Sequence, residues 1–116
     1  MQIQVNTDDN IEGREALAAK VEAEVEQMLG RFREHLTRIE VHLSDENAAR
    51  TVGPDKRCLM EARPAGMQPV AVTHQAETLA EAYAGAARKM RSLLDTQLGK
   101  RLEAKGAASI RDNPLR

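Results

Sequence analysis

Apolar residues recur along this chain with two periods, and the switches between them lay out its elements. From Thr78 to about Lys105, Leu79, Tyr83, Ala86, Met90, Leu93 and Leu94 fall at spacings of three and four, which gathers them into one stripe on a helix. Thr78-x-x-Glu81 supplies a capping box at its start. Gly106 is the expected stop, because glycine tolerates a left-handed helix end. An earlier helix is predicted from about Arg14 to Phe32, with Leu17, Val21, Val25, Met28 and Phe32 on one face and Ala16, Ala18, Ala19 and Ala23 favouring the helical backbone. Glu12 and Glu15 at its start and Arg31 and Arg33 at its end suit the helix dipole, whereas Gly13 or Arg14 makes a weak cap.

Elsewhere the period is two. Gln2-Ile3-Gln4-Val5 alternates as a half-buried strand does, and the turn formers Asn6-Thr7-Asp8-Asp9-Asn10 are expected to end it. Thr37 to Ser44 is the clearest strand, with Ile39, Val41 and Leu43 against Glu40, His42 and Ser44. Asp45 to Asp55, with Gly53-Pro54 and no apolar run, reads as a hairpin loop. Arg57 to Arg63 is a third strand that turns Cys58, Met60 and Ala62 one way. Pro64-Ala65-Gly66 and Pro69 bracket a tight connection to Val70–His74, with Val70 and Val72 inward. The predicted order is β-α-β-β-β-α, an α+β fold. A right-handed helical crossover should join two parallel strands, followed by an antiparallel meander. Each strand has one apolar face, so both helices should pack on the same face of a four-stranded mixed sheet. Residues 1–105 read as a single domain and residues 106–116 as a disordered tail.

Composition narrows the function. Apolar residues make up 41% of the chain, enough for a core, but aromatics are only 2%, so no platform exists on which bases could stack. No apolar run reaches the length of a membrane span, and the MQIQVNTDDN opening lacks a signal region, so a cytoplasmic protein is expected. The single cysteine, Cys58, forms no intrachain disulfide and agrees with a reducing compartment. There is no Gly-rich phosphate loop, GxSxG elbow or HExxH. His35, His42 and His74 lie far apart, Cys58 reads as a small core residue, and Asp8-Asp9 reads as turn chemistry. No catalytic residue, metal or cofactor is expected.

Net charge is −1, yet unevenly spread: six basic against twelve acidic residues before Lys56, eleven against six from there on. Such asymmetry marks a polyanion-facing side, a self-complementary partner surface, or two halves that neutralise each other on packing. The basic group of the last helix is Arg88, Lys89, Arg91, Lys100, Arg101 and Lys105. At 100° per residue Arg88 lies opposite the apolar stripe, Lys89, Arg91 and Lys100 flank it, and Arg101 returns to its centre line. The core should therefore end near Leu98, with the last turns projecting beyond it. Cations on a rigid face can hold phosphates by charge and shape, without base-edge readout.

Element order and several stretches resemble the ribosome hibernation-promoting factor and ribosome-associated inhibitor family. The matching pieces are MQIQV, Glu15-Ala16-Leu17, Ile39-Glu40-Val41-His42-Leu43, and Ala80-Glu81-Ala82-Tyr83 through Lys89-Met90; the likeness covers roughly residues 1–102. It implies binding to the small ribosomal subunit in the tRNA and mRNA channel during stress, through 16S rRNA phosphates, and suppression of translation. Lys89 matches the family's helix lysine, Arg88 and Arg91 are its neighbours, and Lys100 and Arg101 complete the expected contacts. Departures are Ala84 at the family's aspartate, Asp95-Thr96-Gln97 at its Lys-rich helix end, and Ala18, Glu24 and Gln27 at first-helix positions often basic in the family. The dimerisation domain of long members is missing, so a short form is expected. The glutamates Glu22, Glu24 and Glu26, which a polyanion should repel, motivate an alternative: a non-catalytic module of the same fold that binds a protein, or a homodimer joining acidic half to basic half.

Overall fold

The computed structural model describes residues 1–9, 11–45 and 55–111, with side chains as far as residue 99. Its elements are β1 (Gln2–Thr7), α1 (Arg14–Leu29), a 3-10 segment (Gly30–His35), β2 (Leu36–Asp45), β3 (Lys56–Pro64), β4 (Val70–Ala76) and α2 (Leu79–Arg111). The strands form one sheet in the order β1-β2-β3-β4. β1 runs parallel to β2, with Ile3 beside Ile39 and Val5 beside Val41, and the two later pairings are antiparallel.

The period-two alternation decides the layers. Ile39, Val41 and Leu43 of β2 share a face with Cys58, Met60 and Ala62 of β3, and all six are buried. That face receives Val21, Val25 and Leu29 of α1 and Ala82, Ala86, Met90, Leu94 and Leu98 of α2, in one continuous core. α2 lies over β3 and β4; α1 packs beside it and over β1. The opposite face of the sheet carries Gln4, Arg38, Glu40, His42, Glu61 and Arg63. Both helices therefore cover one side, as the strand patterns require.

Element ends differ from the sequence reading where pairing overrides local preference. β1 continues through Asn6 and Thr7, because the parallel ladder still has His42 and Leu43 to pair with. The turn starts at Asp8, whose N–H donates to the Leu43 carbonyl at 3.1 Å and whose Oδ2 accepts the Asp45 N–H at 3.0 Å. Gly13, at φ 67°, is the cap of α1 and has no side chain to offer; only a residue without Cβ enters that left-handed conformation cheaply. α1 ends at Leu29 and tightens into the 3-10 segment, which still buries Phe32. β4 runs on to Ala76, paired with Lys56. The helix stop expected at Gly106 is corrected: α2 continues to Arg111. An interior glycine costs about 1 kcal/mol against alanine but keeps its N–H, and Ala104, Ala107 and Ala108 are strong helix formers around it. Most of the expected hairpin loop, residues 46–54, and residues 112–116 of the expected tail lie outside the described residues.

Candidate nucleic-acid interface

α2 is the element that presents the basic group, and its first turn is fixed by Thr78. The Glu81 N–H donates to Thr78 Oγ1 at 3.1 Å, and that hydroxyl donates in turn to Glu81 Oε1 at 2.9 Å. The box thus closes hydroxyl to carboxylate, rather than carboxylate to the cap N–H as the spacing suggests. Beyond the cap, the apolar stripe seats the helix: Ala82, Ala86, Ala87, Met90 and Leu94 have no exposed surface, while Arg88, Lys89 and Arg91 are exposed.

The three cations point three ways. Lys89 reaches toward the outer edge of the sheet, where its Nζ donates to the Thr73 carbonyl of β4 at 2.9 Å. Arg91 leans the other way, with Nη1 3.6 Å from Met28 Sδ on α1. Arg88 lies between them and has no hydrogen-bond or ion-pair partner among the described residues. None of the three meets a carboxylate among the described residues. Other arginines do: Arg14 pairs with Asp9, Arg33 with Glu26, Arg31 with Asp95, and Arg38 and Arg63 with Glu40. Lys100 and Arg101 continue the helix, but their side chains lie outside the described residues.

The charge these groups leave behind is felt at His74. This residue faces inward near the end of β4 and lines a groove of about 540 Å³ with Gln75, Glu77, Glu81, Ala84 and Arg88. Partial burial, then Lys89 and Arg88, push its imidazole below the ordinary range, against the opposite pull of Glu81. Its ring lies on Gly85, where a Cβ would come within 2.2 Å of His74 Cδ2. Sequence reading missed this contact; a glycine inside a buried helical stripe is the signal for such a close approach. It also missed Arg31. That side chain crosses from the 3-10 segment to α2 and pairs with Asp95 at 2.6 Å, so the acid noted there is not a free negative charge.

The remaining chemistry stays apart. His42 lies on the open face of the sheet, 3.5 Å from Glu61, with β3 between it and His74, which faces the helices. Among the described residues no three His, Cys, Asp or Glu side chains converge as a metal site would require. Cys58 sits opposite His74 in the ladder, fully buried, with its thiol pushed up to about 12 by burial. No helix among the described residues is long and apolar enough to cross a membrane.

Comparison with known proteins agrees with this architecture. No curated protein sequence matches the chain. Among solved structures, the N-terminal domain of Thermus thermophilus Protein Y superposes with a TM-score of 0.66 at 19% identity, over 83% of this chain and 98% of that one. A ribosomal subunit interface protein from Coxiella burnetii superposes with a TM-score of 0.68 at 12% identity, over 85% and 99%. At such identities these two show a shared fold. The family model described as sigma 54 modulation protein / S30EA ribosomal protein matches residues 3–102, from β1 to beyond the last buried turn of α2, and to that family this chain belongs.

Proposed function

We propose that this protein binds the small ribosomal subunit through 16S rRNA phosphates and thereby suppresses translation under stress, as a cytoplasmic, non-catalytic factor whose residues 1–105 act as one domain. Family membership supports the ribosomal partner. The observation that carries the site is the state of α2: Arg88, Lys89 and Arg91 stand exposed without a carboxylate partner among the described residues, while the arginines of the sheet's open face are paired. Unpaired cations on a rigid helix need no charge to be displaced before a phosphate binds. Lys89 and Arg88 are the principal contacts, with Arg91, Lys100 and Arg101 as further ones. The site is not built for sequence readout, since the described cationic face offers no aromatic for stacking.

Co-sedimentation with small subunits tests this reading. Protein should travel with the subunit at low salt and be released as salt rises, each phosphate contact adding roughly 0.7–0.9 to the log–log slope. Protein that stays at the top of the gradient at low salt would remove the proposal. A pull-down that recovers a protein partner and ignores nuclease would favour the alternative, a binding module of the same fold.

A further inference from the structure

The Arg88–Arg91 face of α2 does not end where its own arginines end. One turn beyond Arg91, the same side of the helix carries Asp95, about 20° round from Arg88 and about 40° from Arg91 on a 3.6-residue helix. Asp95 is where Arg31 arrives from the neighbouring element, Nη2 to Oδ1 at 2.6 Å. The guanidinium is also held from below: its Cζ lies 4.8 Å from the centroid of the Phe32 ring, and Phe32 is itself buried. Two restraints from two elements thus fix one cation over the outer surface of the helix layer. It remains wet, with 54% of the Arg31 side chain and 43% of Asp95 exposed. The bridge uses Nη2, and among the described residues Nη1 and Nε have no other partner. A guanidinium carries five N–H donors in a planar fork, so one edge can hold a carboxylate while another meets a phosphate.

We propose that Arg31 is an additional phosphate contact of this interface, delivered onto α2 by Asp95 so that Arg88, Arg91 and Arg31 form one row of guanidinia. The inference rests on the proposed rRNA binding and extends it to a second element. At a rise of 1.5 Å per residue, Arg88 and Arg91 stand about 4.5 Å apart along the axis and Arg91 and Asp95 about 6 Å. These steps suit neighbouring phosphates of one strand better than a single isolated anion. Asp95 is the positioning residue: it orients Arg31 but also places a negative charge in the row.

That double role makes the test decisive. Binding of the full chain to small subunits is measured over a salt series for wild type, Arg31→Gln, Arg31→Lys and Asp95→Asn, with Arg88→Glu as a reference. Arg31→Gln should lower the log–log salt slope by roughly 0.7–0.9, the share of one phosphate, and Arg31→Lys should restore it. Asp95→Asn keeps a side-chain oxygen that can accept from Arg31, and so keeps its orientation, while the carboxylate charge leaves the row; it should tighten binding. If Arg31 acts only as an interhelix tie, Arg31→Gln and Asp95→Asn will weaken binding alike, and the inference fails. It also fails if Arg31→Gln keeps the full slope while Arg88→Glu lowers it, which leaves rRNA binding standing. Wild type that does not bind at low salt removes both.

Discussion

Two neighbours on α2, Lys89 and Met90, divide the work of the chain between them. Met90 is fully buried in the core shared by both helices and the sheet. Met90→Ala should cost about 2–4 kcal/mol, the lost transfer energy plus the cavity left behind, read as a lower urea midpoint at unchanged m-value. Lys89 is exposed, but it is not idle in the free protein, since it donates to the Thr73 carbonyl. Lys89→Glu therefore removes one exposed hydrogen bond, worth about 0.5–1.5 kcal/mol, besides reversing the charge. Arg88→Glu is the cleaner probe, because Arg88 has no partner to lose among the described residues. It should leave the unfolding midpoint almost in place and strongly weaken subunit binding. Equal binding by wild type, Arg88→Glu and Lys89→Glu would show that this part of α2 does not face the RNA.

At the scale of elements, the seat of α2 on β4 is set by a missing side chain. His74 lies against Gly85, and a methyl there would overlap its ring. Two effects oppose each other in Gly85→Ala: helix propensity favours alanine by about 1 kcal/mol, and overpacking costs about 1–3 kcal/mol. That separation falls far below any tolerated one, so the clash should win and the single variant should be less stable. In a His74→Ala background the same change should become neutral or stabilising. A thermal or urea double-mutant cycle reads this reversal of sign, and additive effects would show that the ring simply swings away. Contacts of this kind explain what the sequence conveys and what it withholds. Ile39, Val41 and Leu43 fix both a strand and its buried face, and the Leu79–Leu94 stripe fixes the helix above it, because each signal is a period within one element. Gly85 against His74 and Arg31 against Asp95 join residues far apart in the chain, and no period announces them. The run of β1 through Asn6 and Thr7 is likewise a decision of the β2 ladder. So the fold was legible almost to its strand ends, and the cationic face of α2 was legible as a face. The cation that α1's neighbour lends to it was not.

For the molecule as a whole, the uneven charge of the two halves is not cancelled by packing alone. Between the 3-10 segment and α2 the described ion pair is Arg31 with Asp95, while Arg33 turns back to Glu26 and Arg88, Lys89 and Arg91 meet no carboxylate among the described residues. The same arrangement shapes stability against pH. His74 titrates below its usual value near 6.5 in the folded chain, through burial and then Lys89 and Arg88. The unfolded chain therefore takes up a proton first as pH falls, so stability from this group is complete above pH 6.5 and is lost through the lowered folded value. Asp55 is held below its usual 3.8 by the hydrogen bond from Lys56; its contribution is present above that value and lost at more acid pH. Lys56 is raised above 10.5 by the same bond, so its share persists below that value and disappears as pH rises through the folded one. Both groups sit half-buried at the start of β3, and their steps fall below pH 3.8 and above pH 10.5, away from that of His74. The expected profile is a plateau from about pH 7 to 10 with a first descent on the acid side that belongs to His74. Urea unfolding at closely spaced pH values should show this descent in wild type, and His74→Gln should flatten it where it sets in below pH 6.5 while leaving the more acid loss intact. An unchanged profile in His74→Gln would mean that the cations of α2 do not act on the interior edge of the sheet, and that their field is spent in solvent.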